Sequence, residues 1–204
     1  MHTKKGDKVS GEDMTIHEVM QVVVRDKDYY DRTGGGVTFS GGEALMQAEA
    51  LEQLLNACHE EGIHTAIETT GNVSLTVFQR IVAKTDLLLF DIKHTNAERL
   101  KEVTGGNWGI IRQNLESVSQ QKVVLRVPCI PAFNLTENFF GSLYDLAREL
   151  GISRIDLLPY HTLGRDKYEQ LGMYYTAPAE RLDKKILQPY CEEGIKRGLN
   201  VRIE

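Results

Sequence analysis

Five short β-prone runs, around Val37, Ala66, Leu88, Leu125 and Asp156, are each followed by residues whose apolar positions recur at helical intervals. A chain that alternates in this way builds parallel strands joined by right-handed helical crossovers. Two architectures satisfy the pattern: an incomplete α/β barrel and an open, doubly wound sheet. No linker, low-complexity segment or internal repeat divides the chain, so one domain over residues 1–204 is expected, with residues 1–13 as a flexible start.

Local punctuation supports this reading. Thr15 and Glu18 have capping-box spacing ahead of Ile16, Val19, Met20 and Val23, which predicts a helix starting near Thr15. Leu51, Leu54, Leu55 and Cys58 share one helical face, closed by Gly62. A helix from Ser74 carries Val77, Phe78, Ile81 and Val82, and the run Leu87 to Lys93 reads as a strand buried on both faces. Thr95 and Glu98 repeat the capping-box spacing, and a further helix is expected between Gly109 and Gln120. Val123 to Ile130 reads as another buried strand, followed by a helix from Thr136 to Leu150 and a strand from Ile155 to His161. In the last helical stretch, Glu180 to Arg197, Pro189 is expected to kink or split the helix, and Asn200 to Ile203 is a candidate terminal strand.

Composition excludes several functions. Hydrophobic residues at 41% and charged residues at 26% describe an ordinary globular chain rather than a disordered one. A formal charge of −5 without a basic run argues against nucleic acid as a partner. No apolar stretch reaches the roughly 18 residues needed to cross a bilayer, and Met1 to Lys8 has no secretory apolar segment, so a soluble cytoplasmic protein is expected. Cys58, Cys129 and Cys191 are too far apart for a metal knuckle and read as buried thiols. His59, His64 and His94 show no metal-ligand spacing.

Polar residues gather at the carboxyl ends of the expected strands: Glu43 after Gly41 and Gly42, then Glu68 and Thr70, Asp91 and Lys93, Arg126, and His161. That edge is where parallel α/β folds bind ligands. Residues two apart on a strand share a face, which puts Asp91 beside Lys93 and Glu68 beside Thr70. Charges there need partners, either one another or a ligand. For Ser40 to Glu43 the structural alternative is a tight strand-to-helix turn with an acid near the helix start. A desolvated Lys93 would also suit Schiff-base chemistry.

The segment TGGGVTFSGGE, Thr33 to Glu43, resembles the corresponding part of pyruvate formate-lyase-activating enzymes and other glycyl-radical enzyme activases. The likeness continues, in the family's order, through Glu68-Thr69-Thr70-Gly71, Asp91-Ile92-Lys93, the strand holding Arg126, and Leu157-Leu158-Pro159-Tyr160-His161. The resemblance implies an incomplete TIM-type barrel of parallel strands with outer helices. It also implies that S-adenosylmethionine is bound by Gly41, Gly42, Glu43, Asp91, Ile92, Lys93, Arg126 and His161, with a monovalent cation near Glu68 and Asp91. The best-known member of the family has aspartate where Glu68 stands here.

The implied chemistry is that of radical S-adenosylmethionine enzymes. A reduced 4Fe-4S cluster, fed by a donor such as flavodoxin or ferredoxin, cleaves the cofactor to a 5'-deoxyadenosyl radical, which takes hydrogen from a glycine of a pyruvate formate-lyase-like partner. Three thiolates from a CxxxCxxC loop after the first strand hold that cluster in the family. Neither the loop nor the first strand has a counterpart in this sequence, so a truncated activase is expected, inactive alone for lack of cluster cysteines, and no catalytic residue is assigned in it. The alternative is a cluster-free remnant that binds S-adenosylmethionine or the partner without catalysis. A missing first strand would also leave the strand at Val37 as an unpaired edge, prone to self-association.

Overall fold

The structure, a computed structural model, describes residues 12–118, 122–162, 172, 174 and 180–204. Most of the expected flexible start and the end of the helix placed near Gln120 lie outside the described residues. Helix α1 (Ile16–Val23) opens on Thr15, whose side chain accepts from the Glu18 amide while the Glu18 carboxylate accepts from the Thr15 amide. A 3-10 turn, Val24–Asp26, leads into α2 (Lys27–Thr33) and then β1 (Gly36–Phe39). There follow α3 (Ala48–Glu60), β2 (His64–Thr69), α4 (Leu75–Val82) and β3 (Leu87–Asp91). Next come α5 (Ala97–Thr104), α6 (Trp108–Glu116), β4 (Val123–Cys129), α7 (Glu137–Glu149) and β5 (Arg154–Pro159). The described chain closes with α8 (Gln188–Lys196) and β6 (Asn200–Ile203).

Among the described residues all pairings are parallel and the six strands lie in chain order, β1 to β6. A doubly wound sheet reverses direction partway through its order, and this one does not. The winding is that of a partial barrel, with β1 paired only to β2 among the described residues.

The two faces of the sheet differ in kind. Ile67, Leu88, Phe90, Val123, Leu125, Val127, Ile155, Leu157 and Val201 belong to the buried core. They pack there with Leu55, Phe78, Leu115, Leu143 and Tyr144 of the helices. The register places Glu68 beside Leu89 and sets Asp91, Arg126, Asp156 and Arg202 in one row across β3 to β6, so the alternate positions form a polar face. A strand half covered by helices explains why β3 is not buried on both faces: Leu88 and Phe90 are buried, whereas Leu87, Leu89 and Asp91 are only partly so. The same correction applies to β4, where Arg126 and Pro128 stay half-buried.

Two further expectations are corrected. The cap of α5 is Asn96, whose side chain accepts from the Arg99 amide, one residue after the expected Thr95. Pro189 does not kink a helix: the stretch is split, as the alternative expectation had it, into a 3-10 turn, Lys184–Leu187, and α8, and Pro189 sits in the first turn of α8, where a proline has no helical bond to lose. Gly36 lets β1 approach β2, since a Cβ there would lie 1.9 Å from the His64 carbonyl oxygen.

Candidate functional site

The chain leaves β1 through Ser40 into a turn that only glycine enters without strain, with φ of 98° at Gly41 and 58° at Gly42. A Cβ at either position would meet nothing within 4 Å among the described residues, so these leave the space above the turn open. Glu43 then folds back. Its carboxylate accepts from the Leu45 amide at 3.3 Å, capping the 3-10 turn Ala44–Gln47, and from the Thr69 hydroxyl at 2.6 Å. The amide and hydroxyl of Thr70 complete the set at 3.0 and 2.8 Å. The structural alternative for this segment is therefore present in full, and Glu43 is a rivet between the β1 turn and the end of β2.

On the polar face, the charged side chains at the strand ends meet. Arg126 Nη1 donates to Glu68 Oε1 across the intervening strand, and the other Glu68 oxygen accepts from the Ser40 hydroxyl. Lys93 Nζ lies 3.3 Å from Asp91 Oδ2. Asp91 Oδ1 is buried and has no hydrogen-bond partner among the described residues. Burial pushes the Asp91 carboxyl above the usual carboxylate range, opposed by Lys93 and reinforced by the nearby Glu68 charge. Arg126 and Lys93 thus already compensate the two carboxylates expected to attract a monovalent cation. Lys93 is a third exposed and ion-paired, which is not the sealed apolar pocket that Schiff-base lysines use.

Ile92 points the other way, into the core, while its amide donates to the Arg126 carbonyl at 2.9 Å. A cavity of about 110 Å³ opens beside Asp91 and Lys93, walled by Thr70, Asn72, Leu100 and Trp108. His161 lies two residues beyond Pro159, the last residue of β5, on the same edge of the sheet and exposed. The structure therefore joins Ser40, Glu68 and Arg126 in one hydrogen-bonded set, places the Asp91–Lys93 pair beside it in the sheet, and leaves the Glu43 side chain engaged elsewhere.

Sequence reasoning missed Ser40 and Asn114. Ser40 carried no signal beyond its place before the glycines. Asn114, completely buried on α6, donates to the carbonyls of Gly71 and Val73 at 2.7 and 2.8 Å and so fixes the loop after β2. A polar residue on the apolar side of a helix was the available clue.

Comparison with known proteins fits this geometry. The family described as 4Fe-4S single cluster domain matches residues 2–117. The cysteines here do not fit as ligands of such a cluster. Cys58, Cys129 and Cys191 are buried on α3, β4 and α8, and burial raises all three thiols, Cys129 to about 12. Cluster ligands must be thiolates.

The 4-hydroxyphenylacetate decarboxylase activating enzyme of Clostridioides difficile (strain 630) is 40% identical over 172 residues, 82% of this chain and 54% of that protein. The choline trimethylamine-lyase activating enzyme of Oleidesulfovibrio alaskensis is 41% identical over 173 residues, 82% of this chain and 56% of that protein. The chain thus spans about half the length of these relatives. The pyruvate formate-lyase-activating enzyme of Clostridium pasteurianum is 38% identical over 190 residues, 90% of this chain and 79% of that protein.

Among solved structures, a domain of pyruvate-formate lyase-activating enzyme from Bacteroides vulgatus ATCC 8482 aligns with a TM-score of 0.66 and 27% identity, covering 83% of this chain and 99% of that one. Streptococcus suis SuiB, at 17% identity and a TM-score of 0.71, covers 97% of this chain and 45% of its own, and shares the fold. The ordered motifs, the singly wound parallel sheet and the Clostridium pasteurianum relative agree, and the chain belongs to the glycyl-radical enzyme activating enzymes of the radical S-adenosylmethionine family.

Proposed function

We propose that the polar face of this chain is the S-adenosylmethionine-binding part of a glycyl-radical enzyme activating enzyme. The observation that carries the reading is the gathering of Arg126, Lys93 and Asp91 beside an open glycine turn, on the polar face at the carboxyl edge of the strands. Two cations suit the methionyl carboxylate, and the unpartnered buried Asp91 oxygen can accept from an amino or hydroxyl group of the ligand. The open space at Gly41 and Gly42 lets a ligand approach the backbone, while Glu43 keeps the turn in place from behind. His161, on the same edge, is a further candidate contact.

When bound, S-adenosylmethionine supplies a sulfonium that one-electron reduction can cleave. The residues described here bind it, orient it and shield it from water; the electron-donating cluster needs thiolates that Cys58, Cys129 and Cys191 do not offer. The partner in this reading is a glycyl-radical enzyme of the pyruvate formate-lyase kind, with flavodoxin or ferredoxin as electron donor, in the cytoplasm. Among the described residues no helix is long and apolar enough to cross a membrane.

A second reading, favoured by the misfit of the cysteines, is that the chain binds S-adenosylmethionine or the partner without itself performing radical chemistry. Calorimetry with S-adenosylmethionine tests what both readings share: the parent chain binds, while Lys93→Ala and Arg126→Ala each weaken binding about tenfold or more. Equal binding by all three proteins would remove the site from the polar face.

A further inference from the structure

Arg126 does not use the carboxylate nearest to it in the sheet. Its register partner on β3 is Asp91, yet its guanidinium is held by Glu68 of β2, the strand beyond. Among the described residues Asp91 is left with Lys93 on one oxygen and no hydrogen-bond partner on the other. Glu68 is itself braced, because its second oxygen takes the Ser40 hydroxyl from the residue just before Gly41. The Arg126 and Glu68 side chains are 21% and 28% exposed, so the pair is partly desolvated yet open to an incoming ligand.

We infer that Glu68 is an internal occupant of the anion position at Arg126, which a ligand carboxylate displaces, and that Ser40 links this exchange to the glycine turn. The inference rests on the S-adenosylmethionine reading and deepens it: Glu68 is a positioning residue that sets how strongly the site takes a carboxylate. A guanidinium binds one carboxylate in its best two-pronged geometry, so an external carboxylate competes with the internal one. Once released from Arg126, Glu68 still holds Ser40, so the exchange moves the turn on which the ligand rests. A partly exposed ion pair is a weak competitor, which limits the expected effect on affinity to about two- to fivefold. A shorter acid at this position would have less reach across the intervening strand.

Titration calorimetry on the full 204-residue chain tests this with two probes, S-adenosylmethionine and decarboxylated S-adenosylmethionine, which lacks the carboxylate. Glu68→Gln is expected to bind S-adenosylmethionine about two- to fivefold more tightly than the parent and the decarboxylated probe no more tightly. Ser40→Ala, which keeps the charge at position 68 and removes its brace, shifts S-adenosylmethionine affinity the same way by a smaller factor. Unchanged or weaker S-adenosylmethionine binding in Glu68→Gln, or a gain shared by the decarboxylated probe, overturns the inference.

Dicarbonyl labelling of Arg126, followed by peptide mass spectrometry, supplies an arm that needs no ligand. Glu68→Gln is expected to label faster at Arg126 than the parent, and an equal rate sinks the internal clamp. Faster labelling with no binding of either probe would instead leave the clamp standing and remove the cofactor reading.

Discussion

The Glu43 carboxylate holds Thr70 twice, accepting its amide at 3.0 Å and its hydroxyl at 2.8 Å, and so joins the turn after β1 to the end of β2. With the Thr69 and Leu45 contacts, four donors depend on one side chain. Glu43→Ala is expected to lower stability by about 2 to 3 kcal/mol, and Glu43→Gln to recover part of that because its amide oxygen still accepts. Urea unfolding monitored by circular dichroism reads both; an alanine variant as stable as the parent would show that the rivet contributes nothing.

Asn114 offers a sharper contrast. Its side-chain amide donates to the Gly71 and Val73 carbonyls inside the protein. Asn114→Ala leaves both without that donor and should cost about 2 kcal/mol. Asn114→Asp sets a carboxylate against two carbonyls and should cost more at neutral pH, with part regained in acid, where the protonated group donates again. Melting temperatures of the two variants across pH decide this, and an aspartate variant that matches the alanine one at every pH would contradict it.

Asp91 gives the parent a pH dependence of definite sign. Burial raises its carboxyl in the folded state, so the folded chain binds this proton more tightly than the unfolded chain. Asp91 therefore adds stability below its unfolded value and loses it as pH rises through the raised folded value. Asp91→Asn is expected to gain on the parent over that window and to hold a constant advantage above it. An advantage that grows instead as pH falls would reverse the assignment.

Three glycines predict two levels of cost. Gly36→Ala would drive a Cβ into the His64 backbone and should cost about 3 kcal/mol by prying β1 from β2. Gly71→Ala combines a φ of +68° with a Cβ 2.4 Å from the Phe90 ring and should cost a similar amount. Gly62→Ala has the same kind of backbone angle but open space, so only about 1 to 2 kcal/mol of strain is expected. Chemical denaturation of the three variants checks the order, and a Gly62 cost equal to that at Gly36 would refute the steric argument.

Thiol labelling under native conditions should be slow at all three cysteines and complete after unfolding, because each is buried with a raised pKa. Rapid labelling of any one in the folded chain would reopen the question of its chemistry.

Much of this architecture was legible because helices and strands announce themselves locally. The Thr15 and Glu18 spacing, the helical repeat of Leu51, Leu55 and Cys58, and Gly62 each state their role within a few residues. The facing of β3 was not legible: Leu87, Leu88 and Leu89 have identical side chains, and only the pleat decides which one meets the helices. Thr95 and Asn96 are both competent caps, so their order could not separate them.

The gathering of Asp91 and Lys93 followed from period-two spacing, but the Arg126 to Glu68 and Ser40 to Glu68 contacts bridge 58 and 28 residues of chain. Their existence depends on strand register, for which no local residue type is a signal.

Because neighbouring residues of each central strand serve opposite sides, a saturation scan along β2 to β4 should alternate in what it damages. Substitutions at Ile67, Leu88, Phe90, Leu125 and Val127 should be read out as lost protein, and those at Glu68, Asp91 and Arg126 as altered ligand preference. Such a scaffold can be retuned toward a new small molecule one position in two, without renegotiating the packing that keeps it folded.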